Sequence, residues 1–264
     1  MDPMTIGLVA MAAVLVLLAA RVPIAFALAG VAATGTFLVY ATRAGGFAPE
    51  RALNPTSSVV FSNFFDLVHS YDLSMVPLFV ALGNIAFYAG ITTRIYDAAA
   101  VWLRQLPGGV AMASVLGCGG FSAISGSSIA CASTMGRICV PEMLRMGYDP
   151  KLATASVAVG GTLGSLIPPS VLFILYGIFT ETSIAQLFLA GVLPGLVSLA
   201  GMLLVIAWWV GRNPAAAPAG KAGGASRREA AIAAWPALML FVVIVGGIYG
   251  GIFTATEAAA VSVV

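Results

Sequence analysis

The fold class predicted is an all-α, multi-pass membrane protein, and three observations predict it. Hydrophobic residues make up 60% of the 264 residues and charged residues only 8%, against about 25% in soluble domains. Mean hydropathy is +1.03, so the bulk of the chain is solvated by lipid. The middle of the chain then departs from a simple series of spans. Two half-length apolar runs flank the polar stretch "SAISGSSIACAST" (Ser122–Thr134), and a Pro-Pro break follows. This is the pattern of a re-entrant helical hairpin beside a broken helix.

Each element follows from where apolar runs begin and stop, a span needing about 20 residues. Met4–Ala20 is a slightly short first span. It is not a cleaved signal, because Met1–Met4 carries Asp2 and no basic residue, and no Ala-x-Ala sits just before Arg21. Pro23 opens a second run to Tyr40, since proline costs little in a first turn. Residues 41–74 hold Arg43, Pro49, Glu50, Arg51, Asn54, Pro55, Asp66, His69 and Asp72, and read as a surface connection with an interfacial helix around Val59–His69. Met75–Ala89 is apolar again and contains Asn84, a polar residue expected to be buried without a partner; Arg94, Asp97 and Arg104 close that run.

Val110–Ile124 offers only about 15 residues, roughly 22 Å of helix, less than the ~30 Å hydrocarbon core. Ser125, Gly126, Ser127 and Ser128 follow, then a second short stretch, Ile129–Met146, with Arg137 and Glu142. These two charges are expected to form a salt bridge or a snorkelling pair. "MGYDPK" (Met146–Lys151) is a loop. Leu152–Leu166 is short, and "IPPS" (Ile167–Ser170) breaks it, because two prolines remove two donors and clash with the preceding turn. Val171–Phe179 continues beyond the break. Ile184–Val210 is a full span, Gly211–Glu229 a Pro/Gly/Ala linker with four basic residues, and Ala230–Gly251 another span. The chain ends in "FTATEAAAVSVV", inside an apolar run, which predicts a fragment of a longer protein. Four segments result: 1–105, amino-terminal scaffold spans and polar connector; 106–182, hairpin and broken helix; 183–229, span and linker; 230–264, the opening of a further unit.

Several functions are excluded. Net charge is only +2, and no basic stripe interleaves with aromatics, so nucleic acid is not a partner. Cys118, Cys131 and Cys139 form no Cys-x-x-Cys pair and have one histidine, His69, for company; they are small apolar packers rather than metal ligands. "APAGKA" (Ala217–Ala222) is no phosphate loop, because Ala215 replaces the first glycine and Ala222 the Ser or Thr. No cofactor is implied.

The breaks themselves are informative. Open backbone at membrane depth survives only inside protein or beside water. Helix ends at Ser125–Ser128 and Gly164–Ser170 would expose N–H groups suited to a carboxylate and carbonyls and hydroxyls suited to Na⁺. Interrupted spans point to a transporter's midplane site. Close helix packing explains Gly191/Gly195 and Gly246/Gly250 instead. Lysine and arginine orient the chain: with the hairpin as a U-turn, Arg21, Arg94, Arg104, Arg145, Lys151 and the linker share one face, expected to be cytoplasmic.

The segment Leu106–Gly195, with "SGSSIA", "PEMLRMGYD", "GTLGSLIPPS", "YGIFTETSIAQLF" and "AGVLPG", resembles the large membrane (permease) subunit of tripartite ATP-independent periplasmic (TRAP) transporters, DctM-like. "PLFVALGN" (Pro77–Asn84) and "FTATEAAAV" (Phe253–Val261) are similar to segments of the same family. The resemblance implies an elevator-type carrier in the bacterial or archaeal inner membrane, of which this chain holds the first of two inverted repeats. It implies Na⁺-coupled uptake of an organic acid such as a C4-dicarboxylate or sialic acid, delivered by a periplasmic solute-binding protein and assisted by a small four-helix membrane subunit. By position, Ser125, Gly126, Ser127 and Ser128 match the hairpin tip, with hydroxyls and carbonyls for Na⁺ and N–H groups for the substrate carboxylate. Gly161, Thr162, Gly164 and Ser165, ahead of Pro168 and Pro169, offer carbonyls to the same ion; Ser125, Ser127, Gly161 and Gly164 form the implied Na⁺ set.

Two rivals remain. An intramembrane serine protease with Ser125 as nucleophile needs a nearby base, and "AISG" (Ala123–Gly126) lacks the glycine two places before the serine. A channel would pass solute down its gradient without a periplasmic partner. No enzyme activity is expected. At about 2.3 kcal/mol per charge per 100 mV, two or more Na⁺ entering with a carboxylate supply several kcal/mol for accumulation, which suits a chain without a nucleotide site.

Overall fold

The computed structural model describes residues 3–42, 46–218 and 226–263. Asp2, Arg43 and Lys221, invoked above, lie outside the described residues. Every regular element among them is helical. The chain divides into two compact units, 1–70 and 71–264.

The first unit contains α1 (Pro3–Ala19), α2 (Ile24–Thr42) and α3 (Pro49–Val68). α1 stops where Arg21 takes a positive φ of 63°, and Pro23 ends the turn. α1 and α2 pack side by side with Met4, Leu15 and Phe26 turned outward, as lipid solvation requires. α3 corrects an expectation. The helix is a full 20 residues and begins at Pro49, with Glu50 in its first turn, rather than around Val59. Pro49 fits the first turn, where its missing N–H is not needed, and the helix runs on through Pro55.

The second unit starts with α4 (Met75–Tyr88) and α5 (Ile91–Leu103), separated by Gly90 at φ 74°. α5 is a helix where sequence showed only three closing charges, and it packs along the next helix: Ile95 lies against Gly120 and Tyr96 against Gly117. α6 (Gly109–Ser125) and α7 (Ser128–Arg145) form an antiparallel hairpin. Near its open end the Val110 N–H donates to Tyr148 Oη at 3.4 Å, and Ser114 Oγ faces Met143 Sδ at 3.8 Å. Nearer the tip, Cys131 Sγ donates to the Cys118 carbonyl at 3.5 Å. All three cysteines are buried in this core.

α8 (Pro150–Gly161) returns alongside, started by Asp149, whose carboxylate accepts the Lys151 N–H at 2.7 Å, and by Pro150 in its first turn. A 3₁₀ turn (Thr162–Ser165) and the Leu166–Ser170 break separate it from α9 (Val171–Thr180). α10 (Ile184–Arg212) has 29 residues, about 44 Å of helix and more than enough to span the hydrocarbon. With α2 it is one of two described helices long and apolar enough to cross a membrane singly. The expected span Ala230–Gly251 is a jointed run: α11 (Arg227–Ala233), α12 (Trp235–Phe241), a π-helix over Val242–Gly246 and α13 (Gly247–Tyr249). Pro236 accounts for the first joint, since it cannot donate to the preceding turn. α14 (Ala255–Val263) packs on α4.

Four basic residues of this unit share one end. Ile206 and Val210 lie against Gly108, and the Asp149 N–H donates to the Ala216 carbonyl at 2.9 Å. Arg104, Arg145, Lys151 and Arg212 therefore gather around the open end of the hairpin. Arg94 does not join them. It adjoins Ile95, level with Gly120, about 15 Å up α5 from Arg104, because α5 is one helix running from one end of the unit towards the other.

Candidate functional site

The hairpin tip is made by two residues with opposite backbone habits. Gly126 takes φ 63° and closes α6, its N–H donating to the Ser122 carbonyl at 3.0 Å. An L side chain is disfavoured in that conformation. Ser127 is extended and caps α7, its Oγ accepting the Ala130 N–H at 3.3 Å. The chain therefore reverses in one step, and α7 begins with first-turn N–H groups at Ser128 and Ile129 that no preceding carbonyl of the helix can serve.

The break comes to meet this tip. The Val171 N–H donates to the Gly126 carbonyl at 3.0 Å, a backbone bond joining the start of α9 to the hairpin reversal. A methyl group on Gly126 would lie 2.7 Å from the Pro169 carbonyl oxygen. One on Gly164 would lie 2.7 Å from Ser128 N and 2.9 Å from Ser127 O. Two interrupted helices thus touch main chain to main chain, an approach possible only where side chains are missing. Ser170, buried and extended at the head of α9, ties the break together by donating from Oγ to the Ser165 carbonyl at 2.9 Å.

The ten residues singled out from sequence fall into distinct groups. Gly126, Ser127, Ser128, Gly164 and Pro169 form the joint itself, with Pro168 buried beside it in a cis Pro-Pro pair. Gly161 lies one turn away, where a methyl would meet Ala132 Cβ at 2.7 Å. Thr162 and Ser165 spend their hydroxyls on local carbonyls, Val159 at 2.6 Å and Thr162 at 2.7 Å. Ser125 faces α4 instead of the break: a methyl on Gly83 would stand 2.8 Å from Ser125 Cβ. Its Oγ is buried and has no hydrogen-bond partner among the described residues.

A cavity of about 100 Å³ accompanies that hydroxyl, walled by Asn84, Phe87, Phe121, Ser127 and Thr134 among others. Asn84 corrects an expectation: it is exposed, and its amide donates to the Val80 carbonyl at 2.9 Å. Helical periodicity puts it one residue beyond Gly83 and so at the edge of the α4–α6 contact rather than inside it. Ser170 and Gly83 also belong to the site's framework. Ser170 had a signal in sequence, as the residue after Pro-Pro. Gly83 had none. Glu142 pairs with Arg145 at 2.8 Å, not with Arg137; the two sit three residues apart on α7, Arg145 exposed and Glu142 half-buried on the side that meets Tyr96 and Asp97 of α5. His69 Nδ1 is 2.9 Å from the Phe65 carbonyl of its own helix.

The sequence of the chain was compared with known proteins. The family model for the tripartite ATP-independent periplasmic transporter, DctM component, matches residues 11–264. The chain is 40% identical over 204 residues to the C4-dicarboxylate TRAP transporter large permease protein DctM of Pseudomonas aeruginosa, covering 76% of this chain and 47% of that protein. It is 36% identical over 202 residues to the isethionate TRAP transporter permease protein DctMQ of Oleidesulfovibrio alaskensis, 75% of this chain and 31% of that protein. With the sialic acid TRAP transporter large permease protein SiaM of Vibrio cholerae it shares 32% identity over 247 residues, 93% and 54% of the two chains. The chain spans about half the length of most of the curated relatives it matches. With the family model covering all but the first ten residues, the chain belongs to the DctM-component family of tripartite ATP-independent periplasmic transporters.

Proposed function

We propose that the whole protein to which this chain belongs is a secondary active carrier of the bacterial inner membrane, taking up an organic acid with Na⁺. The observation that carries this reading is the joint between the two interrupted helices, the Gly126–Val171 backbone bond above all. It brings main-chain carbonyls, the Ser127 hydroxyl and a helix N-terminus to one place, with the unpartnered Ser125 hydroxyl on the α4 side of the same tip, the kinds of group an alkali cation and an anion need together. Na⁺ is assigned to hydroxyls and carbonyls among Ser125, Ser127, Gly161 and Gly164. The substrate's acidic group is assigned to the first-turn N–H groups of α7, since the Val171 N–H is already engaged. Relatives named for C4-dicarboxylate, isethionate and sialic acid all act on acids, carboxylic or sulfonic, and an N–H cradle accepts either.

The elevator motion, the re-entrant placement of the hairpin, the small membrane subunit and the periplasmic binding protein belong to the same proposal, supported by family membership. The deciding experiment is uptake of a C4-dicarboxylate by the full-length protein in proteoliposomes, with its small subunit and loaded binding protein. Accumulation that collapses when the Na⁺ gradient is dissipated is the expected result. Flux that ignores Na⁺ and needs no binding protein would replace the carrier by a channel.

A further inference from the structure

Away from the hairpin tip, an open groove of about 500 Å³ runs between α8 and α10 with Val115 of α6 on its floor. Leu152, Ala155 and Val159 line it from α8, three to four residues apart and hence on one helix face. Gly201, Val205 and Trp209 line it from α10 at the same spacing. The walls stay open: Val159 is 49% exposed and Val205 63%. The one charged lining residue, Lys151, stands at the end where α8 begins.

That end is the basic end of the unit. Arg145 lies a short loop before Lys151, and Arg212, one turn beyond Trp208, holds its guanidinium 4.4 Å from the centre of the Trp208 ring. The nearest carboxylate in sequence, Asp149, is occupied in capping α8. Tryptophan and lysine at one level of a helical membrane protein mark the headgroup layer. From Lys151 to Val159 the groove runs about 12 Å along α8, into what is then the hydrocarbon.

We propose that this groove is a binding site for one anionic phospholipid, an acyl chain lying between α8 and α10 and the phosphate on the Lys151 ammonium. Apolar walls alone would accept any lipid tail; Lys151, the one cation lining the groove, is what selects an anionic headgroup. The site depends on membrane embedding and not on the Na⁺ assignment, so the two stand or fall separately.

Gly201 supplies the test, because a methyl group there meets nothing within 4 Å. A large side chain at that position enters the groove without striking protein. The full-length protein with its small subunit, stripped in mild detergent and re-supplied with palmitoyl-oleoyl-phosphatidylglycerol or the matching phosphatidylcholine, is weighed by native mass spectrometry. Wild type should retain one phosphatidylglycerol more tightly than phosphatidylcholine. Gly201→Phe should lose it, and Ala155→Phe, plugging the opposite wall, should do the same if the first variant folds poorly. Lys151→Gln should weaken phosphatidylglycerol about fivefold, the equivalent of ~1 kcal/mol, and leave phosphatidylcholine unchanged. The proposal is overturned if both plugged variants keep the lipid, or if wild type and Lys151→Gln hold the two lipids alike. It is also overturned if a Gly201→Cys thiol in lipid-free full-length protein is shielded from maleimide, since protein would then cover the groove.

Discussion

The two arms of the hairpin are nearly equal in length and opposite in construction. Fifteen of the 17 residues of α6 are buried, against four of the 18 in α7. α6 is wrapped by α5, α7, α8 and α10, and it is written almost entirely in Gly, Ala, Ser, Cys and Val apart from Met112, Leu116, Phe121 and Ile124. α7 offers one stripe, Cys131, Met135, Cys139 and Met143, repeating every four residues, and turns Ile129 outward at 82% exposure. Lipid gives helices little hydrophobic reason to associate, so close van der Waals packing between small residues must hold them. α6 is the member that supplies it. α7 is held by one face and carries the tip's free N–H groups on the end that meets the break.

The strongest way to break this comparison is at the joint the two arms share. Gly164→Val places carbon within 3 Å of the Ser127–Ser128 backbone, where neither partner is a flexible side-chain end. The cost expected is about 3 kcal/mol, the upper part of the range for overpacking, with uptake by the full-length protein lost. Thermal unfolding in detergent measures it. An unchanged midpoint would mean that tip and break part easily and that their contact does not organise the site.

A second substitution pair sharpens the contrast between the arms. Ala113→Leu inserts three carbons beside a wholly buried position of α6 and should cost about 2 kcal/mol. Ile129→Ala removes as many from the open side of α7 and should stay within about 0.5 kcal/mol. Equal shifts in unfolding midpoint would show that the outer face of α7 is packed in the complete protein.

Ser125→Ala separates stability from function at the tip. The Oγ is buried and unpartnered, so deleting it should leave stability unchanged or raised by up to about 1 kcal/mol. If the hydroxyl ligates Na⁺, half-saturation of uptake should move up about tenfold, the loss of one bond to a charge. A stability loss with unaltered Na⁺ dependence would recast Ser125 as a packing residue.

How much of this was legible in sequence depends on whether the signal is local. The hairpin was legible because both apolar runs are too short to span and the tip between them is Ser-Gly-Ser-Ser; the structure starts α6 one residue before, and ends α7 one residue before, the predicted bounds. The α8 break was legible because two adjacent prolines leave a helix no alternative. What sequence could not supply was the meeting of the two, since Val171 and Gly126 are 45 positions apart and their bond depends on how α8 packs against α7. Asn84 and Arg94 were misplaced for a related reason. The apolar run around Asn84 suggests burial and the lysine and arginine distribution suggests the basic end for Arg94, whereas the face or level each occupies is set by how its helix packs against α6. Charges mask α5, whose buried residues include Tyr96 and Ala100, and Pro55 with its polar neighbours masks the first half of α3.

The smallest effect is expected at the one ion pair described, and it tests the exposed edge of α7 near the open end of the hairpin. Glu142 and Arg145 meet at 2.8 Å, with the arginine side chain 77% exposed and the glutamate, beside Tyr96 and Asp97 of α5, 28%. Two long side chains must be ordered to hold that geometry, and the surrounding medium screens what they gain, so such pairs contribute about 0.3–0.5 kcal/mol. A double-mutant cycle of Glu142→Gln and Arg145→Gln should return a coupling in that range at low salt and close to nothing at high salt, where the Debye length falls to a few Å. Arg137→Gln should show no coupling to Glu142 under either condition, because Glu142 is matched to the residue three places on rather than five places back. A coupling of 2 kcal/mol or more would be too large for an open surface. It would place this end of α7 under protein in the full-length assembly, and the contrast between the two arms would then belong to the isolated chain alone.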